Sequence, residues 1–420
     1  MAVNRIEAFQ TAFRNLQLQP LISPEEISNF RVEYGDEWLD DLEQKVLDCS
    51  DYNNQLFFAG HRGCGKSTLL AEFGQRLDDR YFTVFFSIAD LIEMSAIDHI
   101  NILFAIAVQM TAKADDDNIE IEQSKMDGFF NWFKERTLIE ESTTKGSSET
   151  GFDLFGLIKL KLQTDNTVRD KIKTKFTKNP RDLIDTLNLI ATEVALACGK
   201  EIVVIIDDLD KLELSDFEKI FKQNLKILLE PNFIVIYTIP IATIRDGVLK
   251  KHIEDAISNR IFVMPVLKIY AQGDSHQQNP QMVPAATDKL CEILRKRIDS
   301  DLLPADIALQ VGAFSGGVMR ELIRIAQECC RLMLVQLRQK QRRQESIDDL
   351  QIDAAILNQA LDILRNEMTI TLSKTDREIL KKPIPTIAPT IPNNKNFSIC
   401  STISTPSNIA IPKAGTISTR

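Results

Sequence analysis

The sequence predicts an α/β fold: a doubly wound parallel sheet of five strands, with a helical insertion and a C-terminal α-helical domain. Two observations lead there. Five apolar runs, 55–59, 81–89, 201–207, 232–239 and 260–267, are near-continuous rather than alternating, as strands covered on both faces must be. Helical patterns separate them, the rhythm of βαβ units.

The first run carries the strongest local signal. The stretch from Gln55 to Leu70 reads QLFFAGHRGCGKSTLL, in which an apolar strand breaks at Gly60. The G-x-x-x-x-G-K-[ST] spacing then runs through Gly60, Gly65, Lys66 and Ser67. Glycines let backbone N–H groups converge on phosphate oxygens, and the following helix points its positive end at the same anion. Lys66 is expected to reach the β- and γ-phosphates and Ser67 to ligate Mg²⁺. Gly60, Arg62, Gly63, Cys64, Gly65, Lys66, Ser67 and Thr68 form the expected phosphate-contact set, and the sheet is read as a P-loop NTPase core. Cys64 admits two readings, a redox-sensitive thiol if exposed or simply a small residue that fits.

The third run, IVVIIDDLDKL, places Asp207 and Asp208 where a buried strand emerges at its carboxyl end, the edge at which open α/β sheets bind ligands. Asp207 is the expected Mg²⁺ carboxylate, and Asp208 the expected group that orients or deprotonates the attacking water.

GHRGCGKST together with IIDDLDKL resembles the Walker A and Walker B motifs of AAA+-related P-loop ATPases, and the Asp-Asp-Leu-Asp signature is most similar to the STAND and KAP-like branches. The resemblance covers about residues 30–370. It implies ATP with Mg²⁺; no Asn-Lys-x-Asp guanine signature is present. It implies that the fourth run lies between the first and third, so that Thr238 is either a sensor of the γ-phosphate or an ordinary strand former. Arg260 would be an arginine finger reaching a neighbouring subunit in a homo-oligomer, or else a helix-end cation complementing the dipole; Arg245 is its rival. In SGGVMRELIRIA, Gly316 and Gly317 would start a lid helix and Arg320 would be a second sensor that closes over the phosphates. Val32 and Tyr34, just upstream of the phosphate loop, would line the base pocket or merely pack on the core. Most AAA+ motors carry glutamate at the position of Asp208, so slow, switch-like turnover is expected here.

Composition narrows the remaining classes. The 420 residues are 44% hydrophobic and 26% charged, a globular balance. A net charge of −10 disfavours nucleic-acid binding by the whole surface. Seven cysteines without C-x-x-C spacing and four scattered histidines argue against a zinc site. No secretory leader or membrane-length apolar run is read, so a cytoplasmic location is expected.

The chain divides into an entry segment (1–54), the ATPase core (55–270), a lid (287–367), a winged-helix opening (368–381) and an acid-free, Pro/Ser/Thr-rich tail (382–420) read as disordered. The winged-helix pattern breaks off, as a truncation or shifted reading frame would leave it. Ser23-Pro24-Glu25-Glu26 signals a helix start, and 37–47 follows with a helical pattern. The long interval between Ser67 and Asp207 requires an insertion at about 92–180. In it 97–111 and 127–136 read as helices, 141–151 as a polar loop, 155–162 as a strand, and a helix opens at Asn179-Pro180. The insertion is a docking surface for a protein partner or structural elaboration. A helix over 241–258 leads to the fifth run, and a loop without clear structure over 271–286 separates the core from the lid. Arg331, Arg338, Lys340, Arg342 and Arg343 form a basic run that would bind nucleic acid or be solvated.

Function is therefore expected to be Mg²⁺-dependent ATP hydrolysis driving a conformational switch. The alternatives are a non-hydrolysing nucleotide-gated scaffold and an initiator-like DNA-binding ATPase.

Overall fold

The computed structural model describes residues 5–49, 54–137, 152–257, 261–271 and 281–371, together with Thr375 and Glu378. Two compact units make up the chain. One contains 35–60 and 67–264; the other contains 1–34, 61–66 and 265–420.

The first unit is built on the expected parallel sheet. Its strands are β1 (Gln55–Gly60), β2 (Tyr81–Ser87), β3 (Glu201–Asp207), β4 (Ile234–Pro240) and β5 (Phe262–Met264), in spatial order β2-β3-β4-β1-β5. All four pairings are parallel. β4 is central and buried along its whole length, and it does lie between β1 and β3. Register runs Phe58 to Thr238 and Ile206 to Tyr237, which brings the ends of β1, β3 and β4 to one edge. Tyr237 is fully buried, so its hydroxyl needs a partner; it donates to the Leu228 carbonyl at 2.9 Å. Its ring stacks on Phe57 at 5.4 Å.

The insertion is wholly helical among the described residues: His99–Asp116, Gln123–Thr137, Phe152–Thr164, Asn166–Lys178 and Pro180–Cys198. The expected strand at 155–162 is a helix instead. Phe155, Ile158 and Leu162 are the buried positions, spaced three and four apart, so helical period outweighed a partial alternation. Phe104, Trp132, Phe133, Phe155 and Phe176 interlock at its centre. Asn179 precedes the last of these helices without a side-chain cap bond; Pro180 marks its start.

Two further expectations change in this unit. The helix expected over 241–258 is two, Ala242–Arg245 and Gly247–Ile257. Asp246 turns extended between them, and its carboxylate accepts from the Val248 and Leu249 N–H groups. β5 is also far shorter than its apolar run.

The second unit is helical. Ser23 and Glu26 cap the helix Pro24–Phe30 reciprocally, as the sequence signalled. The entry segment is divided rather than single: Phe9, Ala12 and Leu16 of helix Arg5–Asn15 bury in one core with Leu290, Leu322, Cys329 and Leu357, whereas 35–49 belongs to the sheet unit. The C-terminal helices are Pro284–Arg295, Ala305–Phe314, Met319–Arg342 and Ala354–Thr371. Of the expected loop 271–286, residues 272–280 lie outside the described residues; Met282 bridges Tyr270, and Pro284 starts a helix. Gly316 and Gly317 do not start the helix that carries Arg320; they precede it, and Met319 is its first residue. Gly317 has φ +80°, and a Cβ there would come within 1.9 Å of the Leu267 carbonyl oxygen, so glycine is required by both conformation and space. The polar loop 141–151, Arg260, most of the winged-helix opening and the tail lie outside the described residues.

Candidate functional site

In the sheet unit the site is built at the carboxyl end of β3. Asp207 is the last residue of that strand and is only 3% exposed. Its Oδ1 is buried without a hydrogen-bond partner. Burial raises its carboxyl, the Asp208 charge adds to the rise and the Ser67 hydroxyl opposes it; the net result is pushed up to about 6. A carboxylate desolvated in this way seeks a proton or a cation.

Asp208 follows in the left-handed region, with φ +69°, a conformation that aspartate tolerates better than most residues. The turn aims its carboxylate sideways. Oδ2 accepts from the Ser87 hydroxyl at 2.7 Å, and Oδ1 lies 2.7 Å from the Lys211 ammonium. Asp90 is raised by burial and then by the Asp208 charge. The carboxylates of Asp207, Asp208 and buried Asp210 offer oxygens within 4.8 Å of one another. Such a hard, oxygen-only donor set suits Mg²⁺.

Thr238 is fully buried at the neighbouring strand. Its hydroxyl donates to the Ile206 carbonyl at 3.0 Å and accepts from the Leu209 N–H at 3.1 Å. It thereby clamps the two ends of the turn that carries both acids, and its proton is committed to backbone. The sensor expected from the resemblance stands in this conformation as a brace of that turn.

The helical unit holds residues 61–66 of the glycine-rich loop. Gly63 and Gly65 have φ +81° and +94°, so their peptide groups turn as a phosphate cradle requires. Lys66 is the first residue of helix Lys66–Leu77, and its ammonium donates to the His61 carbonyl at 3.0 Å. Cys64 is fully buried, which leaves the reading of a small residue that fits and removes the exposed thiol that redox sensing needs. Arg62 is half-buried, as are Ser67 and Thr68 in the other unit.

Arg320 is the second residue of helix Met319–Arg342. Its backbone N–H donates to the Gly63 carbonyl at 3.0 Å, and a Cβ on Gly63 would lie 2.8 Å from the Arg320 Cβ. The structure therefore brings Arg320 to the phosphate loop, through backbone first. Val32 is buried in the helical core and Tyr34 donates to the Pro265 carbonyl at 3.1 Å. Arg245 is exposed. In the basic run, Arg331 pairs with Glu328 at 2.6 Å and Lys340 with Glu345 at 3.8 Å, while Arg338, Arg342 and Arg343 are exposed.

Sequence reasoning passed over Ser87, Lys211 and Asp210. Asp210 and Lys211 stood in the same IVVIIDDLDKL string.

A parallel sheet ordered β2-β3-β4-β1-β5, with a glycine-rich phosphate loop after β1 and acids at the tip of β3, is the arrangement of a P-loop nucleotide-binding fold. No protein-family model matches the chain, and no curated protein matches it. Among solved structures it is similar to Cdc6p from Pyrobaculum aerophilum (12% identity, TM-score 0.39, covering 87% of this chain and 73% of that one). It is similar to the Aeropyrum pernix ORC2 protein in ADPNP–ADP complexes (11%, TM-score 0.43, 86% and 74%). It is also similar to the Aeropyrum pernix ORC1 protein in complex with DNA (12%, TM-score 0.41, 86% and 73%). Among the described residues no helix is long and apolar enough to cross a membrane.

Proposed function

We propose that the protein binds ATP with Mg²⁺ and hydrolyses it slowly, as a conformational switch of the AAA+-related type, its Asp-Asp-Leu-Asp turn pointing to the STAND/KAP-like branch. The observation that carries this reading is the buried, unpartnered Asp207 Oδ1 beside Ser67, the residue that follows Lys66.

Each residue then has a task. The loop N–H groups and Lys66 hold the phosphates, releasing the lysine from the His61 carbonyl. Ser67 and Asp207 would hold Mg²⁺, which when bound supplies charge neutralisation at the phosphate oxygens. Asp208 orients the attacking water and takes its proton once it leaves Lys211 and Ser87. Thr238 keeps the acidic turn in place, and Arg320 holds the loop at Gly63 and acts as the second sensor of the phosphates. Val32 and Tyr34 are proposed near the base, and Arg260 as a finger in a homo-oligomer. A protein partner at the insertion and a cytoplasmic setting complete the reading.

The test is equilibrium binding of a fluorescent ATP analogue with and without Mg²⁺. Lys66→Ala should weaken binding at least tenfold, and Asp207→Asn should remove the Mg²⁺ dependence while sparing metal-free binding. Unchanged affinity in Lys66→Ala would sink the reading.

A second reading, a nucleotide-gated scaffold without turnover, is favoured by one observation: both oxygens of Asp208 are engaged. Single-turnover rates of wild type and Asp208→Asn separate the two, since equal rates support the scaffold.

A further inference from the structure

The insertion carries a surface that neither the nucleotide site nor the sheet requires. Helix Asn166–Lys178 turns Val168, Arg169, Ile172 and Phe176 inward. At about 100° per residue, Lys171, Lys175 and Lys178 then fall on one outer arc with Thr167 and Thr174. All five are exposed, as is Arg181 just beyond.

These four cations differ from the helix's other two. Arg169 is buried against Glu93, and Lys173 pairs with Asp98 at 3.1 Å. Lys171, Lys175, Lys178 and Arg181 have no ion pair among the described residues. Asp170 is the helix's only acid and lies at the edge of the arc. On the next helix Asp182 faces Arg136 at 3.5 Å, and Asp185 is exposed.

We infer that this stripe of Lys171, Lys175, Lys178 and Arg181 is a docking surface for the phosphate backbone of duplex nucleic acid. Four positions between Lys171 and Lys175 correspond to about 6 Å of helix, close to the spacing of successive phosphates along a strand. The threonine hydroxyls are donors of the kind that accompany lysine on phosphate oxygens. No aromatic residue lies on the outer arc, so the stacking that single strands use is missing. The remainder of a chain with net charge −10 repels a polyanion, which confines contact to the stripe. The inference is independent of the ATP reading.

The experiment is fluorescence anisotropy of the full-length protein, without nucleotide, on a labelled 20-base-pair DNA duplex from 25 to 200 mM salt. With three to four phosphates neutralised, log K should fall against log salt with a slope of about −3, roughly a 60-fold loss between 50 and 200 mM. Lys175→Gln should flatten the slope by about 1, and Lys171→Gln/Lys175→Gln/Lys178→Gln should nearly abolish binding with an unchanged thermal melt. Arg338→Gln/Arg342→Gln should leave the slope as it is. The inference is overturned if the duplex does not bind at 25 mM salt, or if the triple variant binds like wild type. It is equally overturned if polyglutamate or a single strand of equal charge competes better than the duplex, the former marking an acidic protein as the occupant.

Discussion

The Lys211 ammonium sits 2.7 Å from Asp208 Oδ1, three residues along the same turn, while Ser87 holds the other oxygen. A general base must present a free lone pair to its water. One Asp208 oxygen is paired to a cation and the other accepts from a hydroxyl, so on the proposed mechanism the water must compete with both partners.

On the proposed mechanism, removing that cation should free Asp208 for its water. Lys211→Met is expected to raise single-turnover hydrolysis several-fold with nucleotide affinity unchanged. Ser87→Ala should do so more weakly, since it removes a neutral hydrogen bond rather than a charge-assisted one. A fall in rate in Lys211→Met would instead make Lys211 a stabiliser of developing charge.

Asp207 gives the protein a pH dependence. The folded state holds its carboxyl proton up to about pH 6, against 3.8 for the ordinary group. The folded state therefore binds more protons over this window. Stability of the metal-free protein should rise as pH falls from about 6 towards 4, and the cost of ionised Asp207 should be fully present above about pH 6. Asp207→Asn should accordingly stabilise the metal-free protein at pH 7 by roughly 2–3 kcal/mol, read from chemical denaturation. Mg²⁺ should compete with that proton, so Mg²⁺-dependent nucleotide binding should weaken as pH drops through 6.

Gly63→Ala strains a left-handed residue and drives a methyl against the Arg320 Cβ. It should cost about 1–3 kcal/mol and weaken nucleotide binding. Gly128→Ala is the control: it lies in helix Gln123–Thr137 with open space around its Cβ. It should be neutral or stabilise by up to about 1 kcal/mol. Paired melts and binding curves decide both.

Thr238→Val keeps the shape but leaves the Ile206 carbonyl and the Leu209 N–H without their partner. A loss of about 1–3 kcal/mol is expected, with turnover falling more than nucleotide affinity because the acidic turn is displaced. Thr238→Ser should restore most of both.

Where local pattern and tertiary packing demanded the same thing, the sequence was legible. Glu201–Asp207 appears with the bounds its apolar run predicts, because a strand covered on both faces has no polar position to blur it. The Ser23–Glu26 cap and the Pro180 helix start are local chemistry and were read from a few residues. Phe155–Leu162 is ambiguous in sequence because Ile158, Leu160 and Leu162 alternate while Phe155, Ile158 and Leu162 keep helical spacing, and only burial, which leaves Leu160 exposed, chooses between them. Ser87 and Lys211 escaped notice since nothing in sequence says which residues 121 and 3 positions away will meet the Asp208 carboxylate.

By itself, then, the sequence determined the parallel sheet, the phosphate loop and the strand that delivers the acids, each encoded by hydrophobic period or by glycine and charge at fixed spacing. Tertiary structure alone decided the charge state of Asp207 and the hydrogen-bond engagement of Asp208. Burial of Asp207 and the approach of Ser87 to Asp208 depend on which strand tips pack side by side, and desolvation and hydrogen bonding act over distances that no linear spacing records.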